Sequence, residues 1–257
     1  MSTALRILIC NDDGVGAPGL VALAEAARRL SAEVWIVAPE RKWTAASHQL
    51  TFDRDLTLTR IGKRSYACSG APADCVVAAM TILLPGAAKP DLVLSGINDK
   101  ANVGEDIAYS GTVAIAREAA FWGVPAISFS RTERAMARAS DLAALRDLLH
   151  TLWAHRADWV QDGHWLAINL PASLPAPLVQ ARIARDKIAG GCDVLNSSAE
   201  RITYRLRRGR PGTSTPGDEN ACVESGAISV LRFCWRMQSP LPDAVVAGWQ
   251  AGDKMAD

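Results

Sequence analysis

The amino-acid sequence predicts an α/β fold with a mostly parallel sheet at its core, followed by a smaller C-terminal appendage with a β-hairpin. Residues 5–10 form a short apolar run that ends in Asn-Asp-Asp-Gly, as expected of a buried strand followed by a turn. Pro18 opens a segment in which leucines and alanines recur at helical spacing. A second strand pattern follows at residues 33–38. The chain therefore begins with a βαβ unit, the unit from which parallel sheets are built.

Residues 39–257 contain further predicted strands, helices and loops. Residues 39–70 combine a polar loop with alternating segments around Leu56 and Tyr66 that indicate antiparallel strands. Beyond Pro171 the pattern weakens, so residues 1–170 are predicted to form the core and residues 171–257 the appendage. Further helices are predicted at residues 72–84, 112–122 and 142–152, strands at 91–95, 125–129, 165–170, 202–208 and 227–234, and loops at 96–111 and 210–220.

Composition narrows the class of protein. The 257 residues include 28 Lys and Arg against 27 Asp and Glu, a balance that argues against general nucleic-acid binding. The N-terminus lacks the basic and long apolar regions of a signal peptide, and no apolar stretch is long enough to cross a bilayer, so no membrane partner is expected. Six scattered cysteines without a C-x-x-C pair fit a reducing cytoplasm better than a disulfide framework or structural zinc.

Polar residues follow three predicted strands at the sheet edge where ligands bind in open α/β folds. Asp12 and Asp13 follow the first strand, Thr44 follows the second, and Asn98 follows the third. Two adjacent carboxylates repel each other unless a cation lies between them, and oxygen ligands favour Mg²⁺, Mn²⁺ or Ca²⁺ over zinc. Taken alone, an Asp-Asp pair is more often a turn or a helix cap, and Asn98 and Thr44 are ordinary loop residues.

A phosphate pocket is the second prediction. The segment Tyr109-Ser110-Gly111-Thr112-Val113 opens a helix, where backbone N–H groups and hydroxyls bind phosphate without a lysine. Simple capping of the helix is the more frequent role of such a segment, and both roles can coexist. A cation beside this pocket is what hydrolysis of a phosphate ester requires.

A competing pattern is a dinucleotide-binding fingerprint. Gly14, Gly16 and Gly19 match G-x-G-x-x-G between a strand and a helix, and Glu40 ends the second strand near where a ribose-binding acid is expected. Asp12 and Asp13 would then lie close to a pyrophosphate and repel it. NAD binding is therefore the less favoured interpretation.

Several motifs occur in a fixed order over about a hundred residues. The most specific block joins Ser95-Gly96-Ile97-Asn98 with Asn102, Gly104, Asp106 and residues 109–113. The other motifs are residues 7–15, 17–19, 37–41, 46–47 and 70–76. Together these segments resemble the SurE family of survival-protein nucleotidases.

The resemblance implies a Rossmann-like three-layer core and a metal-dependent phosphatase that acts on nucleoside 5′-monophosphates, often extending to 3′-nucleotides or polyphosphate. It also implies one divalent metal ion per subunit, Mg²⁺ or Mn²⁺, and a homodimer or homotetramer in which C-terminal segments reach a partner. By position, the catalytic residues are Asp12 and Asp13, the metal ligands are Asp12, Asp13, Thr44 and Asn98, and the phosphate-binding residues are Asn102, Ser110, Gly111 and Thr112.

The sequence departs from the family pattern at several positions. Thr44 replaces a serine, and Lys100 replaces a glycine, which either stiffens the loop or adds a positive charge near the substrate. The usual Ser-x-Thr-Pro-Leu-like ending reads Ser-Val-Leu-Arg at residues 229–232, and Gly16 lies where the family requires no glycine. His48 is the one histidine near the predicted site and a candidate general acid.

Two alternatives stay open at this point. A nucleotide-binding sensor without turnover fits the changes at Thr44 and Lys100. An NAD-dependent oxidoreductase fits the glycine spacing alone. Whether Asp12 attacks phosphorus or positions a water molecule is also open.

Overall fold

A computed structural model describes residues 5–132, 139–185, 191–207 and 214–236 of the 257-residue chain. Its strands are β1 Arg6–Cys10, β2 Glu33–Pro39, β3 Leu58–Gly62, β4 Ser65–Cys68, β5 Leu92–Asn98, β6 Ala126–Arg131, β7 His164–Leu170, β8 Leu178–Gln180, β9 Cys192–Ser197, β10 Ile202–Leu206 and β11 Ile228–Cys234. Its α-helices are α1 Pro18–Leu30, α2 Pro72–Ala78, α3 Asp106–Tyr109, α4 Gly111–Phe121, α5 Ala139–Ala154, α6 Arg156–Trp159 and α7 Glu219–Glu224.

Nine strands form one mixed sheet in the order β3-β4-β2-β1-β5-β6-β7-β11-β8. Strands β4, β2, β1, β5, β6 and β7 run parallel, whereas β3 is antiparallel to β4 and β11 is antiparallel to β7. This confirms the predicted α/β class with its mostly parallel sheet.

Helices cover both faces of the sheet, which makes the core three-layered. Alternate residues of β1 enter different hydrophobic clusters, Ile7 and Ile9 on one face and Leu8 and Cys10 on the other, and all four are fully buried. Burial on both faces explains why β1 is continuously apolar rather than alternating. The helices α1 and α5 contribute to the first cluster, and α2 and α4 contribute to the second.

The order in which strands are added to the sheet reverses between β1 and β5. From β1 the chain goes to β2 on one side, and it later returns to β5 on the other side of β1. The loops that follow β1 and β5 therefore leave a crevice at this switch point, which is where open α/β sheets bind ligands. Asp12, Asp13 and Asn98 all lie there.

Gly19 allows α1 to pack tightly against the end of β5. A Cβ atom at Gly19 would lie 2.0 Å from the backbone oxygen of Ile97, whereas a Cβ atom at Gly16 would meet no atom within 4 Å. Gly19 thus has a packing role, and no contact within the described part of the protein requires glycine at position 16.

The elements beyond residue 170 divide between two sheets. Strands β8 and β11 extend the main sheet, and β9 pairs with β10 in a separate antiparallel hairpin, so the predicted C-terminal hairpin is confirmed. The boundary at residue 170 itself stays a prediction. Part of the predicted loop 210–220 and the C-terminal residues 237–257 lie outside the described residues.

The structure divides two of the predicted segments into shorter elements. The predicted helix at 72–84 comprises α2 and a π-helical turn, Ala79–Leu83, and the predicted loop 96–111 contains the short helix α3. Across the described ranges, none of the helices combines the length and the apolar composition needed to cross a bilayer.

Candidate active site

Asp12 lies directly against the start of α4. Thr112 Oγ1 donates a hydrogen bond of 2.5 Å to Asp12 Oδ1, although the two residues are 100 positions apart. A Cβ atom at Gly111 would lie 2.8 Å from Asp12 Cβ, so glycine is needed for this approach. Ser110 caps the helix by accepting a hydrogen bond from Val113 N at 3.1 Å. One carboxylate of the predicted metal site and the predicted phosphate pocket therefore share one crevice.

Burial makes Asp12 an unusual carboxylate. The residue is 7% exposed, and burial raises its pKa from 3.8 to about 6. The hydrogen bond from Thr112 and the nearby Lys42 oppose this rise in pKa, whereas the neighbouring Asp13 adds to it. The raised pKa of Asp12 therefore reflects first its removal from water, which Thr112 and Lys42 offset only in part.

Asp13 interacts with two charged residues, Lys42 and Asp99. Lys42 Nζ forms an ion pair with Asp13 Oδ1 and a second ion pair of 2.9 Å with Asp99 Oδ2. Asp99 N donates to Asp13 Oδ2 at 3.2 Å, which fixes the other oxygen. These contacts join the loops after β1, β2 and β5, as the placement of polar residues at the strand ends predicted.

The loop after β2 lies over Asp12. Trp43 N donates to Asp12 O at 2.7 Å, and the next residue, Thr44, is exposed. Further along, Ser47 binds α3 through its side chain, with Ser47 Oγ donating to Ala108 O at 2.7 Å. Thr44 therefore directly follows a residue whose backbone contacts Asp12, and its role as a metal ligand stays a prediction.

Asn98 and Asn102 have different surroundings. Asn98 Nδ2 donates to Lys100 O at 2.7 Å, which orients the amide at the end of β5. Asn102 is buried, and its Nδ2 donates to Ser130 Oγ at 2.7 Å while its backbone bonds with Asn169. Asn102 thereby ties the site loop to β6 and β7. Its predicted contact with phosphate stays a prediction.

The ring nitrogens of His48 contact Glu118 and Arg117 of α4. His48 Nε2 lies 2.7 Å from Glu118 Oε2, and Arg117 Nε donates to His48 Nδ1 at 2.8 Å. The ring also stacks on Phe121, with the centroids 5.3 Å apart. Both ring nitrogens have protein partners, so this geometry does not favour His48 as the general acid.

The residues at the crevice fit a hard divalent cation. No three of the His, Cys, Asp and Glu side chains in the described ranges group as a metal site, so a cation here depends on two carboxylates supplemented by neutral oxygens. Asp12 and Asp13 supply the two carboxylates, and Asp99 lies beside Asp13 and pairs with Lys42 Nζ. Carboxylate and neutral oxygens are the ligands that Mg²⁺ or Mn²⁺ prefers.

Lys42 and Asp99 were not singled out by the sequence. Charged residues are common in loops, and the contact between them spans 57 positions. The available signal was their place next to motif residues, since Asp99 follows Asn98 and Lys42 precedes Thr44 by two positions.

Fold and site together define the class of protein: an open α/β protein that presents acidic residues and a helix N-terminus at the switch point of its sheet. A family model described as "Survival protein SurE" matches residues 7–190. The chain belongs to the SurE family, as the resemblance of its motifs predicted.

Relatives and a solved structure agree with this assignment. A protein of Paramagnetospirillum magneticum named "5′-nucleotidase SurE" is 36% identical over 255 residues, which cover 91% of each chain. A protein of the same name from Xanthomonas campestris pv. campestris is 35% identical, with 96% of each chain covered. The crystal structure of the SurE protein from Aquifex aeolicus has a TM-score of 0.77 and 28% identity, covering 96% of this chain and 99% of that one.

Proposed function

We propose that this protein is a metal-dependent nucleotidase that hydrolyses nucleoside 5′-monophosphates to a nucleoside and phosphate. The observation that carries the proposal is the contact between Asp12 and α4, because it joins a buried carboxylate to a helix N-terminus that can bind phosphate. The name shared by the relatives, "5′-nucleotidase SurE", supports the same substrate class.

Asp12, Asp13, Thr44 and Asn98 are the residues that would hold one Mg²⁺ or Mn²⁺ ion. Such an ion, when bound, polarises the phosphoryl group and supplies positive charge for the transition state. The two aspartates provide the negative charge, and Thr44 and Asn98 provide neutral oxygens. The fixed position of Asp13 Oδ2 on the backbone N–H of Asp99 limits how far the carboxylate can turn.

The phosphate would lie at the N-terminus of α4. Backbone N–H groups that lack helical partners and the partial positive charge of the helix end both favour an anion there. Ser110, Gly111 and Thr112 form this end, and Asn102 is the fourth residue that we propose for phosphate binding. Preorganised donors of this kind usually make the largest contribution to stabilising developing charge.

Asp12 is the carboxylate placed to act on the phosphoryl group, either by attacking phosphorus or by orienting a water molecule. Its hydrogen bond to Thr112 ties it to the helix that would bind the phosphate. This contact fixes the orientation of the carboxylate relative to the phosphate site. With His48 held by Glu118 and Arg117, proton transfer to the leaving group falls to water.

The proposal is tested by measuring phosphate release from AMP, GMP, CMP, a 3′-nucleotide and polyphosphate. We expect release from the 5′-monophosphates, loss of activity in EDTA, and recovery with Mg²⁺ or Mn²⁺. Full activity in EDTA would remove the metal from the mechanism. Binding of AMP without release of phosphate would indicate a sensor, and binding of NADH without a divalent ion would indicate a dinucleotide enzyme.

The β9–β10 hairpin supports a homodimer or homotetramer. Five apolar side chains of this two-stranded sheet are each 54–65% exposed among the residues that the structure describes: Val194, Leu195, Ile202, Tyr204 and Leu206. So many exposed apolar side chains on one small element usually mark an interface. A second copy of the chain is the partner we propose, and residues 171–257 are the proposed oligomerisation segment.

Changing the cross-strand pair Val194 and Tyr204 to serine should therefore lower the oligomer mass. Light scattering coupled to size-exclusion chromatography measures this mass. The neighbouring polar pair Asn196 and Thr203, changed to serine, is the matched control and should leave it unaltered. A double variant of Val194 and Tyr204 that keeps the wild-type mass would exclude the hairpin as the interface.

The proposed compartment is the cytoplasm. All six cysteines are free, and four of them are buried, as expected of a protein kept in a reducing environment.

A further inference from the structure

Lys42 occupies part of the coordination space of Asp13. Its ammonium group contacts Asp13 Oδ1, and Asp99 N holds Asp13 Oδ2 at 3.2 Å. Both carboxylate oxygens therefore already have partners within the protein. A divalent ion on Asp13 would be repelled by an ammonium group on the same carboxylate, so the two cations compete for it.

We infer that Lys42 is an internal cation that competes with the divalent metal for Asp13 and thereby sets the metal affinity of the site. This inference rests on the proposed function, because it takes Asp13 as a metal ligand. It assigns to Lys42 a positioning role that acts through Asp13.

The geometry allows Lys42 to leave Asp13 readily. The Lys42 side chain is 47% exposed, whereas that of Asp13 is 8% exposed, so the lysine is the partner that can move toward solvent. Asp99 Oδ2, at 2.9 Å, gives the ammonium group a second carboxylate that it can keep. Displacement by a metal ion thus breaks one ion pair and leaves the other.

The same arrangement explains how acidic residues crowd together at this crevice. Three carboxylates lie within a few residues of the switch point, and the ammonium group of Lys42 bridges two of them. One positive charge offsets part of their repulsion and still leaves the group net negative. A dication is attracted to such a group, but it binds less tightly than it would without the lysine.

Lys42→Met should therefore bind Mn²⁺ more tightly than the wild type, by about three- to tenfold, the range expected for removing a half-exposed ion pair. Isothermal titration of the full-length protein with Mn²⁺ alone measures this constant without reference to activity. Lys42→Arg keeps the positive charge and should bind Mn²⁺ much as the wild type does.

Lys100→Met is the matched control, since Lys100 is exposed and lies one residue after Asp99. It removes a positive charge from the same loop, and we expect a change in Mn²⁺ affinity of less than about twofold. Equal gains in both Met variants, or unchanged or weaker binding by Lys42→Met, would overturn the inference while leaving the metal site intact. A wild type that binds no Mn²⁺ would overturn the proposed metal site as well.

Discussion

Asp13→Asn should lower turnover of a nucleoside 5′-monophosphate by roughly 10²–10³-fold or more, the size of effect seen when a group that stabilises transition-state charge is removed. Asparagine keeps the shape of the side chain and an oxygen near Asp99 N, but it removes the negative charge that would hold the cation. Mn²⁺ affinity should fall with turnover. Steady-state phosphate release and Mn²⁺ titration measure the two effects.

Asp99→Asn provides the comparison for Asp13→Asn. Asp99 lies in the same crevice and contacts the same Lys42 Nζ, at 2.9 Å, but it is not among the proposed metal ligands. Its replacement should reduce turnover far less than replacement of Asp13. Wild-type turnover in Asp13→Asn, or equal losses in both variants, would show that the ligand assignment is wrong.

Local patterns were sufficient to predict the elements that carry the site. The apolar residues 5–10 and the turn that follows predicted β1 and the position of Asp12, because a strand buried on both faces must be continuously apolar. The start of α4 was predicted from Ser110 and Thr112 for an equally local reason, the preference of hydroxyl residues for helix caps.

Contacts between distant segments could not be predicted in the same way. The sequence placed Asp12 and Thr112 at ends of elements, but their hydrogen bond depends on how α4 packs against the sheet. The ion pair of Lys42 with Asp99 and the stacking of His48 on Phe121 likewise depend on tertiary packing. Short elements such as β8, with three exposed residues, left no hydrophobic periodicity to detect.

Asp12→Asn should abolish activity and yet stabilise the metal-depleted protein at neutral pH. Burial raises the pKa of Asp12 from 3.8 to about 6, so the folded state holds a proton more tightly than the unfolded state. Stability is therefore lost as the pH rises from about 4 to about 6, and the full cost of burying the charge, on the order of 1–3 kcal/mol, is present above that range. Asparagine has no charge to bury and keeps an oxygen that can accept from Thr112.

Thermal unfolding in EDTA between pH 4 and pH 8 measures this effect. Asp12→Asn should unfold several degrees above the wild type at pH 7.5, since about 1 kcal/mol corresponds to roughly 2–4 °C in a chain of this size, and its advantage should shrink toward pH 4. Exposed Asp53, changed to asparagine, controls for the loss of one negative charge and should show no such trend. Added Mn²⁺ should raise the unfolding temperature of the wild type by more than that of Asp12→Asn, because the variant keeps Asp13 but lacks the buried charge that the cation offsets. A variant less stable than the wild type at pH 7.5 in EDTA would mean that burying the charge of Asp12 does not destabilise the folded protein. The buried charge would then give no electrostatic reason for a metal ion to bind at this residue.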